Sequence, residues 1–144
     1  MTYNYYSYDS ENHGYCKVTK NGIRDYQLSS YFRQYQVEDI HYDYGTKDDH
    51  LLQLLEKINW YDSLFISRLN DLGYLVSDVL YNLDRLMDRH IRVFVNGREI
   101  DLIITYDCIE YHFNTNYFIN FDKYDKVPIF KDDLEGEIIW KEVI

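Results

Sequence analysis

Glycine, proline and cysteine are all scarce in this chain of 144 residues, which has six Gly, one Pro and two Cys. Cys16 and Cys108 lie far apart and form no Cys-x-x-Cys pair, which argues against a disulfide framework or a zinc knuckle. They read as buried thiols of a reducing compartment. The glycines never cluster, so neither a phosphate-cradling loop nor a dinucleotide fingerprint can be drawn. No stretch approaches the roughly 18 apolar residues that cross a bilayer, and Met1 to Ser10 has neither the basic nor the apolar region of a secretory signal. A cytoplasmic protein without membrane contact is the expectation. Positive charge is also in deficit, with 15 Lys and Arg against 25 Asp and Glu, a net charge of -10. Such a field repels nucleic acid and anionic lipid, so no direct nucleic-acid partner is expected.

What is abundant is apolar and aromatic material. Hydrophobic residues make up 46% of the chain and aromatics 18%, with 17 tyrosines. That is enough apolar surface to offset the entropy of ordering one core. The expectation is one α+β domain over residues 1–144.

Periodicity places the elements. Tyr15 to Thr19 and Ile23 to Leu28 flank Asn21-Gly22, a pair that tolerates the positive φ of a tight turn, and so read as an N-terminal hairpin. A short helix follows through Tyr31, Phe32, Tyr35 and Gln36. Val37 to His50 shows no period and reads as a loop. Leu51, Leu52, Leu54, Leu55 and Ile58, then Leu64, Phe65, Leu69 and Leu72, recur at helical spacing, with Gly73 closing the second helix. Leu75, Val76, Val79, Leu80, Leu83, Leu86 and Met87 form a third amphipathic stripe. The period then becomes two around Asn96-Gly97, a second hairpin, and a C-terminal meander is expected over Cys108 to Phe113, Tyr117 to Phe121 and Glu137 to Val143. The fold class is therefore α+β: an antiparallel sheet of four or more strands with three or four helices in the middle.

No catalytic pattern emerges. None of the five histidines lies in a His-Glu-x-x-His motif or a Cys/His cluster of metal spacing. His41-Tyr42-Asp43 and Asp48-Asp49-His50 lack the alternating ligands of a calcium loop and read as solvated loop charges. No nucleophile elbow or Ser-x-x-Lys is present. No catalytic residue, no metal ligand and no cofactor is assigned. The order of a helix over 62–72, the Gly73 turn, the next helix and the Asn96-Gly97 hairpin resembles a winged helix-turn-helix, with Arg85, Arg89, Arg92 and Arg98 as its cations. Asp78, Asp84 and Asp88 on the would-be recognition helix oppose that reading.

The distinctive feature is acid next to tyrosine. Asp39, Tyr42, Asp43, Tyr44, Asp48 and Asp49 form one such cluster, and Asp132, Asp133, Glu135 and Glu137 form a C-terminal acidic run. Carboxylates can take the place of phosphates at a cationic groove, while tyrosines supply rigid anchors. In size, acidity, richness in Tyr, Asp and Asn and freedom from enzyme motifs, the chain resembles small phage-encoded inhibitors of host nucleic-acid enzymes, among them anti-CRISPR proteins and other DNA mimics. The resemblance implies a protein partner, a nucleic-acid-binding enzyme such as a CRISPR effector nuclease, met in the host cytoplasm. These ten acidic and tyrosine residues are then the expected partner-binding site. The alternatives are a phage or mobile-element structural or assembly protein, for which a homo-oligomer is open, and a small helix-turn-helix-like regulator.

Overall fold

A computed structural model describes residues 10–18, 30–121 and 127–133. In chain order its elements are β1 (Asn12–Val18), a helical segment over 30–34, β2 (Asp39–Tyr44), α1 (Asp49–Lys57), β3 (Ser63–Ile66), α2 (Val76–Asp88), β4 (Arg92–Val95), β5 (Arg98–Glu99) and α3 (Leu102–His112). Short 3-10 turns cover Leu69–Leu72 and Lys131–Asp133.

The strands form one sheet in the order β2-β1-β3-β4-β5, parallel except for the β4–β5 pair. This corrects the antiparallel α+β expectation: the architecture is α/β with a mixed, mostly parallel sheet. Both neighbours of β1 are parallel strands, so it is not the arm of a hairpin; its expected partner, Ile23 to Leu28, lies outside the described residues, as does Glu137 to Val143. The expected loop at 37–50 contains β2, and the expected helix at 62–72 contains β3. The meander is corrected as well: residues 108–112 belong to α3, and Phe118 contributes only an isolated bridge to Leu75.

Each correction has a cause in burial. β3, Ser-Leu-Phe-Ile, is buried at every position because it is a central strand covered on both faces, and such strands show an apolar run instead of alternation. Leu64 and Ile66 enter the main core with Leu51, Leu54, Leu83, Val93 and Val95, while Phe65 enters a smaller core with Cys16, Val18, Phe32 and Val37. Helices α1, α2 and α3 supply the first core, and the 30–34 segment lies over the second.

The second face is held by rings. Phe65 stacks on Phe94 at 4.5 Å between centroids, and Tyr35 lies 5.5 Å from Phe65. Tyr31 Oη donates to the carbonyl of Ile66 at 2.8 Å and accepts from the amide of Gly97 at 3.1 Å, so the helical segment is tied to the β4–β5 turn. That turn is the expected one: Asn96 and Gly97 have φ of 55° and 83°, as a tight hairpin requires. Gly97 must be glycine twice over, because a Cβ there would fall 2.1 Å from the Tyr35 hydroxyl. Gly97→Ala is expected to lower unfolding stability by about 1–2 kcal/mol, measured by urea denaturation; an unchanged midpoint would show that the Tyr31–Tyr35 seam carries no tension.

The strand after the turn stops at Glu99 because Asp101 starts a helix: its Oδ1 accepts from the amide of Ile104 at 2.9 Å, a side-chain cap.

Candidate functional site

The parallel register sets His13 beside Asp39, Tyr15 beside His41 and Lys17 beside Asp43. Alternate residues of a strand share a face, so these six polar side chains form two rows on one side of the β1–β2 ladder. The rows divide into a cluster at each end of the strands.

At the carboxyl end Asp43 is 3% exposed. Its Oδ2 accepts from Tyr15 Oη at 2.7 Å and from the amide of Leu51 at 3.0 Å, and its Oδ1 accepts from the amide of His50 at 3.0 Å. Asp43 therefore caps α1 from the neighbouring strand, whereas Asp48, at the N-cap position, makes no side-chain cap bond. Burial, then the hydrogen bond to Asp43, pushes the Tyr15 phenol far above its ordinary range, and the charges of Asp43 and Asp71 add to it. Asp71 is wholly buried in the 3-10 turn after β3, accepting from Ser67 Oγ at 3.1 Å and Arg68 Nε at 3.4 Å. The strand order reverses between β1 and β3, and in open α/β sheets ligands bind outside the carboxyl ends of the strands at that point. Here the acids at that point serve the fold, since each oxygen of Asp43 and Asp71 accepts an internal hydrogen bond.

At the amino end, His13 is buried between two carboxylates. Its Nδ1 lies 2.5 Å from Asp39 Oδ2 and its Nε2 2.8 Å from Asp62 Oδ2. His41 Nε2 meets the same Asp39 oxygen at 3.0 Å. Asp62, 1% exposed, also accepts from the amides of Glu11 and Asn59. Burial alone would raise the Asp39 pKa, but hydrogen bonds and charge from His41 and His13 outweigh it and hold the carboxyl below its ordinary value.

The expected partner-binding residues are thus dispersed. Asp39 and Asp43 face inward to the clusters just described, so His41-Tyr42-Asp43 is not the solvated loop anticipated from sequence. Tyr42 points to the opposite face and packs on the smaller core. Tyr44, 63% exposed, and Asp49 stand at the β2–α1 corner, with Asp48 half-buried beside them. Asp132 and Asp133 lie at the far edge of the sheet, where Arg98 binds them at 2.6 and 3.0 Å. Glu135 and Glu137 lie outside the described residues. The described residues of the two acidic segments flank opposite edge strands, β2 and β5, and do not make one surface.

The cations of the winged-helix reading are likewise engaged. Arg89 Nη1 donates to the carbonyls of Leu55, Glu56 and Ile58, tying the end of α1 to the end of α2. Arg92 pairs with Glu99, Arg98 with Asp132 and Asp133, and Arg85 lies over the Tyr81 ring at 5.7 Å. With β3 in place of the first helix, that topology is absent.

An acidic aromatic surface does exist elsewhere. On α2, Tyr81, Asp84 and Asp88 are exposed, and on α3 so are Ile103, Asp107, Glu110 and Tyr111. The helices pack against each other, and the proximity registers electrostatically: after burial, the charges of Glu110, Asp84 and Asp107 push the Tyr106 phenol above its ordinary value. Tyr81 is 63% exposed and Tyr111 67%. Among the described residues, none of these four carboxylates is in an ion pair. The α2 half was visible in sequence as the polar positions between apolar ones; the α3 half was hidden once that segment was read as a strand. No protein-family model matches the chain, and no curated protein matches its sequence.

Proposed function

We propose that the protein is a non-enzymatic inhibitor that docks on a basic, nucleic-acid-binding surface of a larger enzyme, with a CRISPR effector nuclease as the partner class. The observation that carries this reading is the α2–α3 face, where Asp84, Asp88, Asp107 and Glu110 have no ion-pair partner among the described residues and stand among exposed Tyr81, Tyr111 and Ile103. Four carboxylates on two packed helices offer a cationic groove closely spaced negative charge, and the helix backbones that carry them are ordered before binding, which lowers the entropic penalty. Tyrosine adds large contact area at two torsions per side chain. The internal commitment of Asp43 and Asp71 at the switch point supports the non-catalytic part of the reading.

Added to a guide-loaded CRISPR effector nuclease, the purified protein is expected to slow target cleavage, and the complex should weaken as salt rises from about 50 to 500 mM because screening shortens the reach of exposed charge. Replacing Asp84, Asp88 and Asp107 by Asn and Glu110 by Gln should slow association about tenfold, while Tyr81→Ala with Tyr111→Ala should cost more than about 1.5 kcal/mol, chiefly through faster dissociation. Tyr44→Ala should leave both rates unchanged. Association insensitive to salt and to both variant sets rejects this surface; failure to bind or slow any effector nuclease rejects the function.

A further inference from the structure

We propose that His13, Asp39 and His41 form a binding site for a first-row divalent transition ion, with Zn2+ the best-matched occupant. His13 Nδ1, an Asp39 carboxylate oxygen and His41 Nε2 all lie within 4.8 Å of one another, the one such group among the described residues. Ligands about 2.0–2.1 Å from a tetrahedral ion stand roughly 3.3 Å apart, so small side-chain rotations close the set. Two imidazoles and one carboxylate are the donor complement of a three-ligand zinc site that keeps a fourth position open. Calcium and magnesium prefer all-oxygen shells and fit this set poorly.

The strands bring the ligands together without a linear motif. His13 and Asp39 are direct cross-strand partners although 26 residues apart in sequence, and His41 follows Asp39 by two positions on the same face. Nothing in the spacing within either segment signals this, which is why the histidines read as unclustered in the sequence.

The surroundings are those of an oriented ligand. His13 donates its Nε2 proton to Asp62 at 2.8 Å, and Asp62 is itself buried and fixed by the amides of Glu11 and Asn59. Metal-bound histidines characteristically hand their second nitrogen to a carboxylate in this way, which sets the tautomer and ring angle. With Nε2 committed, Nδ1 is the nitrogen that faces Asp39 and His41. A purely structural lock between β1 and β2 would be complete with His13, Asp39 and Asp62. The convergence of a second imidazole on the same Asp39 oxygen adds the third donor atom that an ion needs and that the His13 lock does not. The outer side is reachable, since the Asp39 and His41 side chains are 40% and 17% exposed while His13 is at 6%.

The experiment uses the full chain, stripped with a chelator and dialysed, and titrates Zn2+ by calorimetry and Co2+ by visible absorption. One ion per chain is expected, with the intense d–d bands of a four-coordinate Co2+ that disappear on adding Zn2+. His41→Ala removes one ligand and leaves the His13–Asp62 pair intact, so it should retain its thermal transition without metal and weaken Zn2+ binding by more than about tenfold. Asp39→Asn serves as a second variant if the first does not fold. His90→Ala, which alters an exposed histidine stacked on Tyr61 outside the cluster, should bind Zn2+ as the parent does. Absence of one-to-one binding by the parent overturns the proposal, and so does parental affinity in the His41 or Asp39 variant.

Discussion

Replacing Asp43 with alanine is expected to remove about 3–4 kcal/mol of folding stability, because the substitution strips two first-turn amides of their acceptor and leaves a buried phenol without its partner. The contributions are separable. Loss of a helix N-cap alone costs about 1 kcal/mol, and here one carboxylate holds the amides of both His50 and Leu51. Tyr15 is fully buried, so an unpaired hydroxyl there adds a desolvation penalty of about 1–3 kcal/mol. Tyr15→Phe removes that liability, so the double variant Tyr15→Phe with Asp43→Ala should be less destabilised than the sum of the single changes. Asp48→Ala, at the N-cap position itself, should change stability by less than about 0.5 kcal/mol, since its side chain makes no cap bond. Urea unfolding of the four variants decides the matter. A loss below about 1 kcal/mol for Asp43→Ala would mean that water replaces the carboxylate at the end of α1.

The same residue explains why β2 does not declare itself as a strand in the sequence. β2, Asp-Ile-His-Tyr-Asp-Tyr, carries three polar residues on the face toward the main core, and a strand normally declares itself by placing apolar residues there. Asp39, His41 and Asp43 are polar because they are spent on His13, Tyr15 and the start of α1, so the segment looked like a solvated loop. β3 failed in the opposite sense, since burial on both faces erased its alternation. What was legible rested on local chemistry alone: the Asn96-Gly97 turn and the amphipathic α2 appear where their residues require them. Parallel pairing joins segments distant in sequence, such as β1 with β3 and β3 with β4, and leaves no turn signature to read. The candidate surfaces followed the same rule. Acid beside tyrosine in sequence was divided between two faces of one strand, whereas Asp84 of α2 and Asp107 of α3 were brought together only by helix packing.

Asp62→Asn should be the second severe substitution, at about 3 kcal/mol, although it changes neither size nor shape. Asp62 is 1% exposed and accepts three hydrogen bonds: the amide of Glu11 on Oδ1, and the amide of Asn59 with His13 Nε2 on Oδ2. An asparagine offers one carbonyl oxygen and one amino group. Set toward Asn59 and His13, the oxygen keeps two bonds and turns an N–H against the amide of Glu11; reversed, it keeps one and opposes two donors. The charge matters as much as the count, because His13 would then face Asp39 alone. The backbone propagates the loss: Ser63 donates to the carbonyl of Glu11 at 2.9 Å and Arg92 to that of Asp62 at 3.1 Å, so this corner joins the starts of β1, β3 and β4. Denaturant unfolding in chelator-treated buffer measures the effect free of any bound ion. The companion Asp39→Asn keeps the Asp62 acceptor and acts on a side chain 40% exposed, so it should cost less than about 1.5 kcal/mol. Equal losses from the two substitutions would place the stabilising charge on both sides of His13 alike. A loss below about 1 kcal/mol at Asp62 would mean that the buried carboxylate is replaceable by a neutral amide.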